Sequence, residues 1–375
     1  MRILVLIHEY PPVGGGGGRV AQDICHGLAG RGHELLVLTA RCDDLPAREV
    51  QDGVTVLRLD SGRREAFRAD LRAMGGYVLR TLWEGPGLLR NWKPDVIHVH
   101  FAVPAGAAAL GLSRLSGVPY VLTAHLGDVP GGVPEKTGKW FRLIYPFTPP
   151  IWRGAARVVA VSEFTRSLAG RHYPVPVEVI YNGVDLQQLD PGEIRLNDPP
   201  QVVFAGRFMA QKNPLQVVRS LAELRALPWQ AVLLGDGPLR GAVEAEVARC
   251  GLGERIRLPG WVTPEAVLDY YRRSDVLFLP SLSEGLPVVG VQAMAMGLAL
   301  VLSRVGGSVD LVQGEENGAL VESGDAAGFT AALGALLGDP PRLLAARQAS
   351  RRLAQRFDLQ TVVQAYEDIF RSVAA

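Results

Sequence analysis

Short, uninterrupted apolar runs that alternate with helix-like segments constrain the fold of this chain more than any other feature of its sequence. A strand with one face in water alternates apolar and polar residues, whereas strands covered on both faces are apolar throughout, as these runs are. Helices are predicted between the runs, as at Arg19–Ala29 and Pro104–Ser116. The pattern predicts an α/β fold built on parallel sheets, whose first strands are Ile3–Ile7, Glu34–Thr39, Val54–Leu59, Asp95–His100, Tyr120–Ala124 and Val158–Val161.

The alternation pauses near Asn182-Gly183-Val184-Asp185 and resumes after a turn-rich stretch, residues 190–200, which indicates an interdomain linker. With 375 residues, of which 48% are hydrophobic, the chain can bury two sizeable cores. We therefore predict two α/β/α domains, residues 1–186 and 198–358, that face each other across a cleft. The second series of predicted strands comprises Val202–Phe204, Ala231–Leu234, Arg255–Leu258, Val276–Leu279, Leu300–Leu302 and Ala319–Val321.

Composition and charge exclude several classes of protein. The formal net charge of +1 argues against nucleic-acid binding driven by electrostatics. Three scattered cysteines, Cys25, Cys42 and Cys250, lack metal-ligand spacing and are typical of a reduced, cytoplasmic protein. The apolar segment Met1–Ile7 is too short for the core of a signal peptide, and no apolar run reaches the length of a membrane span. We expect a cytoplasmic protein without a nucleic-acid partner, either soluble or attached to the inner face of a membrane.

The segment Ser283–Ala295 places polar side chains at the end of a predicted strand. It follows the apolar run Asp275–Leu279, and Pro287 suits the first turn of a helix. Glu284 therefore lies on a loop at the carboxyl end of a strand, where open α/β sheets bind their ligands, and Gln292 lies in the second helical turn. A carboxylate and an amide suit the hydroxyl groups of a sugar and a ribose. The alternative is a turn whose glutamate only caps the helix.

A second motif has the same location in the predicted fold. Arg207 and Lys212 bracket a short loop between the run Gln201–Phe204 and a helical stretch. A guanidinium and an ammonium beside a helix start make an anion site that suits a diphosphate, although each cation alone could be an ordinary solvated charge.

Five consecutive glycines, Gly14–Gly18, follow the first predicted strand and precede a helix. Glycines let backbone N–H groups approach a phosphate closely, next to the positive end of the helix. Three interpretations stay open: a loop without a role, a loop that faces a phosphate or an acceptor, and a dinucleotide-binding fingerprint. The fingerprint matches weakly, because Asp43 and Asp44 lie beyond the position expected for its acidic residue.

Together these motifs resemble the retaining nucleotide-sugar glycosyltransferases of the GT-B fold, specifically family 4, and the resemblance covers nearly the whole chain. That family carries an Arg-x4-Lys pair, matched here by Arg207 and Lys212, and a Glu-x7-Glu element, matched by Glu284 and position 292. The resemblance implies that the two cations hold the diphosphate and that Glu284 grips the sugar. Gln292 departs from the family pattern, and its amide would hold the ribose without charge, with weaker or altered donor binding.

The resemblance also assigns roles to residues that their spacing alone would not. It implies that His125 lies beside the transferred sugar, with Asp128 on the acceptor side. His98 and His100 alternate with Val99 on the preceding strand, so we place His100 on the acceptor side, nearer the cleft, and predict that His98 is a packed strand residue. Leu126 stands where the family commonly has glycine. The C-terminal helix, residues 359–375, is implied to pack back on the first domain. Further donor-binding positions are implied at Gly15, Gly16, Gly206, Trp261, Val262, Gly285, Leu286 and Pro287.

The expected activity is transfer of a hexose, with retention of configuration, from a UDP- or GDP-linked donor to a lipid-linked, saccharide or small-molecule acceptor. No cofactor or metal is expected, because Arg207 and Lys212 would stabilise the leaving diphosphate. A sugar-nucleotide epimerase of the same fold is the nearest alternative, and a non-catalytic protein that binds a nucleotide sugar is the next. A periplasmic sugar-binding protein would need an export signal, and a nicotinamide-dependent dehydrogenase would leave Arg207, Lys212 and Glu284 unexplained.

Residues 58–93 carry an excess of positive charge, with eight cations against four carboxylates. One interpretation is a solvated helical face. The other is a patch, with Leu79, Leu82 and Trp83 interleaved, that contacts anionic lipid or an anionic, lipid-linked acceptor. The cations are Arg58, Arg63, Arg64, Arg68, Arg72, Arg80, Arg90 and Lys93.

Overall fold

The computed structural model describes residues 1–42, 44–66, 69–133 and 141–374. They form two compact units. The first unit contains residues 1–183 together with the C-terminal segment from residue 359, and the second contains Val184–Asp358. Each unit is an α/β structure with its own sheet, in agreement with the predicted fold class.

The first unit is built on an eight-stranded sheet with the order β3-β4-β2-β1-β5-β6-β7-β8. All neighbouring strands are parallel except the edge pair β3–β4. The predicted strands are present, and the two that the apolar pattern missed, β3 and β8, are short, polar and not fully buried. The strands are β1 Arg2–Leu6, β2 Glu34–Ala40, β3 Arg48–Gln51, β4 Val54–Leu59, β5 Val96–His100, β6 Tyr120–Ala124, β7 Arg157–Ala160 and β8 Glu178–Val179.

The helices of this unit differ from the sequence expectation mainly at their starts. α1 begins at Gly16, three residues ahead of the predicted Arg19, because three glycines form its first turn. α3 begins at Ala107, since a π-helical turn, Ala102–Gly106, replaces the predicted start at Pro104. The helices are α1 Gly16–Gly30, α2 Leu71–Trp92, α3 Ala107–Ser116, α4 Phe141–Ile144, α5 Pro149–Gly154 and α6 Glu163–His172.

The second unit has a six-stranded, fully parallel sheet with the order β11-β10-β9-β12-β13-β14. Its strands are β9 Gln201–Ala205, β10 Gln230–Leu234, β11 Ile256–Gly260, β12 Val276–Leu279, β13 Ala299–Ser303 and β14 Gly318–Val321. Its helices are α7 Pro214–Glu223, α8 Arg240–Arg249, α9 Pro264–Arg272, α10 Val288–Ala295, α11 Ala326–Leu337 and α12 Pro340–Leu353.

The stretch interpreted as an interdomain linker packs as part of the second unit. Asn197 donates its backbone N–H and its side-chain amide to the buried carboxylate of Asp275, over 3.2 and 2.9 Å. Arg347 of α12 pairs with the same carboxylate and donates to the carbonyl of Arg195. The division between the units accordingly falls at Gly183, ahead of that stretch.

The last helix, α13 (Leu359–Ala374), belongs to the first unit and packs on α1. A Cβ at Gly27 would overlap the side chain of Val363, so glycine allows the two helices to approach closely. Glu367 of α13 pairs with Arg31 at 2.9 Å and with His33 at 3.1 Å. These contacts give the helix a fixed place in the first unit.

Candidate active site

The predicted donor-binding residues of the second unit lie where its strand order reverses. From β9 the chain runs outward through β10 to β11 on one side, and then crosses to β12 on the other side. Loops that leave neighbouring strands in opposite directions open a crevice at their carboxyl ends, which is where open α/β sheets bind ligands. The loop with Gly206, Arg207 and Lys212 follows β9, and the loop with Glu284 follows β12.

Three hydrogen bonds join these two loops side by side. Leu282 donates its backbone N–H to the carbonyl of Gln211 at 2.7 Å, and the Gln211 side chain donates to the carbonyl of Ser283 at 3.0 Å. Lys212 Nζ then lies 2.6 Å from Glu284 Oε1. The structure thus brings together a cation and a carboxylate from the two predicted motifs.

Glu284 is also held through its backbone. The backbone N–H of Gly307 donates to the carbonyl of Glu284 at 3.2 Å. Gly306 has a φ of +52°, and a Cβ there would overlap that same carbonyl oxygen. Only glycine satisfies both conditions without strain, so the Gly306-Gly307 turn fixes the backbone under Glu284.

The neighbouring predicted positions line the same end of the sheet. Arg207 is exposed, and the stem of Lys212 lies against Gly206. Gly285 is half-buried and Leu286 is buried, while Pro287 is the N-cap of α10. Gln292 is half-buried in the second turn of α10, eight residues after Glu284.

Trp261 and Val262 follow β11, at the edge of the same sheet. Trp261 is exposed, and Val262 is half-buried. Because β11 is two strands away from β9, these residues lie about 10 Å from the Lys212 loop across the sheet. That separation leaves the Lys212–Glu284 pair and Trp261 as distinct parts of the candidate site.

The glycine-rich segment of the first unit follows β1 at its carboxyl end. Gly15 is the N-cap of α1 and Gly16 its first residue, and both are exposed. Apart from its two neighbours in the chain, no described residue has an atom within 4 Å of the place where a Cβ of Gly15 would be. Gly17, in contrast, packs so tightly on the ring of Phe101 that a Cβ would lie 2.5 Å from it. The segment therefore combines an open helix start with a close helix–loop contact.

His125 lies at the carboxyl end of β6 and contacts the end of β5. Its Nε2 is 2.9 Å from Nδ1 of His100, and its ring packs on Phe101 with 4.5 Å between the ring centroids. Burial lowers the pKa of His125 to about 3 and places that of His100 well below 6.5, so both imidazoles are neutral at physiological pH. His125 can therefore act only as a neutral hydrogen-bonding group in this structure.

His98 and Asp128 have structural roles. His98 is buried, with Nε2 3.0 Å from Thr123 Oγ1 and its ring against Tyr366 of α13, as predicted for a packed strand residue. Asp128 accepts the backbone N–H of Ala102 at 2.7 Å and that of His125 at 2.9 Å. Both carboxylate oxygens of Asp128 thus hold the β5 and β6 loops together, and burial raises its pKa.

The basic segment needs a correction, because two of its eight cations are buried. Arg58 bonds Glu49 and the carbonyls of Pro46 and Pro11, and Arg63 donates to the carbonyl of His8 at 2.9 Å. These two arginines hold loops together and belong neither to a solvated face nor to an exposed patch. Arg68, like Asp43 of the weak fingerprint, lies outside the described residues.

Neither a cluster of metal ligands nor a membrane-spanning helix is found among the described residues. Within residues 1–42, 44–66, 69–133 and 141–374, no three His, Cys, Asp or Glu side chains are grouped so that they could hold a metal ion. Over the same residues, no helix is both long enough and apolar enough to cross a bilayer.

Three residues that build the site were assigned no role from the sequence. Gln211 joins the two loops of the second unit, Gly306 supports Glu284, and Phe101 lies between Gly17 and His125. Gln211 lies inside the Arg207–Lys212 motif and Gly306 inside a glycine pair at a strand end, so both carried a signal. No sequence pattern indicated Phe101, because its contacts with Gly17 and His125 join three separate segments of the chain.

Comparison with known proteins agrees with this geometry. A family model described as Glycosyltransferase Family 4 matches residues 14–188, and one described as Glycosyl transferases group 1 matches residues 199–339. A glycogen synthase of Mycobacterium tuberculosis is 28% identical over 99% of this chain and 94% of its own length.

Two solved structures have the same fold. Sucrose-phosphate synthase of Thermosynechococcus elongatus superposes with a TM-score of 0.87 at 20% identity, over 99% of this chain and 98% of that chain. HepE of Anabaena, in complex with UDP-glucose, superposes with a TM-score of 0.75 at 20% identity, over 99% of this chain and 100% of its own. With one family model matched in each half of the chain, this protein belongs to the family 4, or group 1, glycosyltransferases of the GT-B fold.

Proposed function

We propose that this glycosyltransferase moves a hexose from a nucleoside diphosphate sugar to an acceptor hydroxyl, with retention of the anomeric configuration and without a metal ion. The observation that carries the proposal is the Lys212–Glu284 pair at the strand-order reversal of the second unit. An ammonium suits a phosphate and a carboxylate suits sugar hydroxyls, so the pair joins the two halves of such a donor. HepE, which has the same fold, binds UDP-glucose.

Charge development in the reaction explains why both cations are needed. As the bond between the anomeric carbon and the phosphate oxygen breaks, its electron pair remains on the leaving diphosphate. Lys212 and Arg207 would stabilise that charge in place of a metal ion, because preorganised cations act strongly in a site that excludes water. Glu284 would meanwhile orient the sugar ring through its hydroxyls, which is positioning and not proton transfer.

The remaining groups fit the rest of the donor. The exposed ring of Trp261 and the backbone at Val262 would face the nucleobase, and the Gln292 amide would hold the ribose hydroxyls. His125 would serve as a neutral hydrogen-bonding group for the sugar, and the open helix start at Gly15 and Gly16 would suit a phosphate.

The proposal is tested with a panel of UDP-, GDP- and ADP-sugars and without an acceptor, because water can replace the acceptor hydroxyl slowly. A transferase releases nucleoside diphosphate and free sugar, and NMR at early times shows the configuration of the sugar before it mutarotates. Release of the α-anomer from an α-linked donor supports retention. An isomerised donor without net nucleotide release would identify an epimerase, and full activity after treatment with EDTA is expected.

We also propose that α2 contacts an anionic membrane surface, where a lipid-linked acceptor would be found. Leu79 and Trp83 are 70% and 83% exposed on this helix. At 100° per residue they share one stripe with the exposed Arg72 and Arg90. A tryptophan and a leucine between arginines are typical of a helix that lies in the lipid headgroup region.

Vesicle co-sedimentation tests this contact directly. Vesicles with phosphatidylserine should bind the protein, and pure phosphatidylcholine vesicles should bind it far less. Replacing Trp83 and Leu79 by serine should abolish the difference. The matched control is Leu115→Ser on α3, which removes an apolar side chain of similar exposure, 72%, outside α2. Equal binding to both kinds of vesicle would exclude the contact.

A further inference from the structure

His100 differs from the other buried histidines of the first unit in what its ring contacts. It is completely buried at the end of β5, and its Nδ1 is 2.9 Å from His125 Nε2. Its other ring nitrogen, Nε2, is buried and has no hydrogen-bond partner among the described residues. His98, two residues earlier, bonds Thr123 through Nε2 and also has a buried ring nitrogen without a partner among the described residues. Its ring, however, packs on that of His100 and on aromatic side chains of α13 and makes no contact of this kind with His125.

The short distance between the two rings requires that one nitrogen donates and the other accepts. Because both imidazoles are neutral, each carries one proton. Two arrangements satisfy the contact. Either His125 donates from Nε2 and His100 keeps its proton on Nε2, or His100 donates from Nδ1 and His125 keeps its proton on Nδ1.

The burial of His100 Nε2 distinguishes the two arrangements. In the first, a buried N–H of His100 is left without an acceptor, and orphaned buried N–H groups are the rarer defect in proteins. In the second, the same nitrogen is a bare acceptor, and the His100 proton is used in the bond to His125. The second arrangement therefore leaves no orphaned N–H on His100.

We propose that His100 is a positioning residue that holds His125 in the tautomer protonated at Nδ1. His125 then presents an N–H donor at Nδ1 and has no free ring nitrogen to act as a base. Two further contacts hold the residue in place: the Phe101 ring against the imidazole, and Asp128, which accepts the His125 backbone N–H at 2.9 Å. A donor at this point suits a hydroxyl or phosphate oxygen of a sugar nucleotide, so the role in turnover rests on the proposed function.

The tautomer can be measured without any substrate. The chain has seven histidines, and two-bond ¹H–¹⁵N NMR spectra of ¹⁵N-histidine-labelled protein distinguish Nδ1–H from Nε2–H rings. His125→Gln assigns the His125 signals. We expect the Nδ1–H pattern for His125 in the unmodified protein. An Nε2–H pattern would overturn the proposal, whatever the activity of the enzyme.

Two variants separate positioning from packing. His100→Leu removes the donor and should give His125 a mixed or Nε2–H tautomer, with kcat lowered on the order of tenfold as for loss of one hydrogen bond. His100→Asn keeps an amide donor near the place of Nδ1 and should restore both the Nδ1–H pattern and most of kcat. The control His98→Leu should leave the His125 tautomer unchanged.

The outcomes also separate this inference from the proposed function. An Nδ1–H tautomer in a protein that turns over no sugar nucleotide would remove the proposed function and leave the His100–His125 assignment intact. If His100→Leu does not fold, the spectra of the unmodified protein and of His100→Asn still decide the assignment. An unchanged Nδ1–H pattern in a folded His100→Leu would contradict it.

Discussion

The second unit contains one buried and one half-buried ion pair, at opposite ends of its sheet, and their surroundings differ. Asp275, which directly precedes β12, lies 2.5 Å from Arg347 of α12. Asp275 also accepts from Asn197 and Gln201, and Arg347 donates to the carbonyls of Gly297 and Arg195. Lys212 and Glu284, beyond the carboxyl ends of β9 and β12, bond each other at 2.6 Å, and no other hydrogen bond of their charged groups is found among the described residues.

Only one of the two pairs has hydrogen-bonding capacity left for a ligand. Every oxygen of Asp275 is occupied by protein donors, so that pair can only support the structure. Lys212 keeps donors and Glu284 keeps lone pairs that no described residue uses, and the Lys212 side chain is 19% exposed. A diphosphate could use the remaining donors of Lys212, and sugar hydroxyls the remaining lone pairs of Glu284. In the first pair, both oxygens of Asp275 already accept hydrogen bonds from the protein.

The largest expected effect is on stability. Asp275→Ala leaves the Arg347 guanidinium buried without its carboxylate, which should cost about 3–5 kcal/mol of the free energy of unfolding. Urea unfolding followed by hydrogen-exchange mass spectrometry of second-unit peptides measures this cost. Arg342→Ala, which breaks an exposed pair with Glu315, is the control and should cost about 1 kcal/mol or less. Equal costs for both variants would contradict the distinction.

Several buried ionisable groups of the first unit are neutral histidines, in contrast to the ion pairs of the second unit, and their burial makes stability depend on pH. Burial lowers the pKa of His8 and of His98 to about 3, and that of His100 well below 6.5. The unfolded chain takes up protons below pH 6.5 while the folded unit does not, so stability is lost as the pH falls. At pH 5.5 each histidine should cost on the order of 1 kcal/mol.

Hydrogen exchange in peptides from β5 and β6, corrected for the intrinsic effect of pH, should reveal this loss between pH 7.5 and 5.5. His98→Leu is expected to reduce the pH dependence by about one proton. Equal stability at the two pH values would mean that the histidines are less buried than the structure indicates.

The third effect is on activity. Lys212→Ala and Arg207→Ala should each lower turnover on the order of a hundredfold, as expected when one preorganised stabilising group is removed. Stability should fall less than for Asp275→Ala, because the site at Lys212 is partly open to water. Arg219→Ala, at an exposed pair with Glu246, is the control for loss of a cation. Unchanged turnover in both variants would remove the proposed mechanism.

A smaller effect concerns the binding of UDP or GDP without sugar. In the free protein the Glu284 carboxylate lies 2.6 Å from Lys212 Nζ, so a diphosphate that bonds the remaining Lys212 donors is repelled by a neighbouring negative charge and competes with it for the ammonium. Glu284→Gln should therefore tighten nucleotide binding by up to about tenfold in Kd while lowering turnover. Calorimetric titration measures both proteins, with Glu246→Gln as the surface control. Weaker nucleotide binding in Glu284→Gln would show that Glu284 supports the phosphate site and does not compete with it.

The smallest effect is expected at Gln292. Glu at this position restores a charged acceptor for ribose hydroxyls, so Gln292→Glu should tighten nucleotide binding slightly or leave it unaltered. The same titration tests it. A collapse of binding would mean that position 292 does not hold the ribose.

Much of the fold followed from local pattern. Mainly apolar runs predicted twelve strands that the structure contains, because strands of a parallel sheet covered on both faces carry mostly apolar side chains. The edge strands β3 and β8 escaped prediction, since their pairing is supplied by a neighbouring strand and not by their own side chains. The start of α1 at Gly16 was not predicted either, because glycine has a low helix propensity. In the structure, the first turn of this helix packs on Phe101 through Gly17.

The sequence by itself determined that this chain forms two parallel-sheet units and that Arg207, Lys212, Glu284 and His125 follow strands, because both properties depend on residues close together in the chain. Tertiary structure alone decided which of these side chains meet. Lys212 and Glu284 are 72 residues apart, and His100 and His125 are 25 apart. Their contacts depend on which strands lie side by side and on how the loops beyond them pack, and no local pattern contains that information.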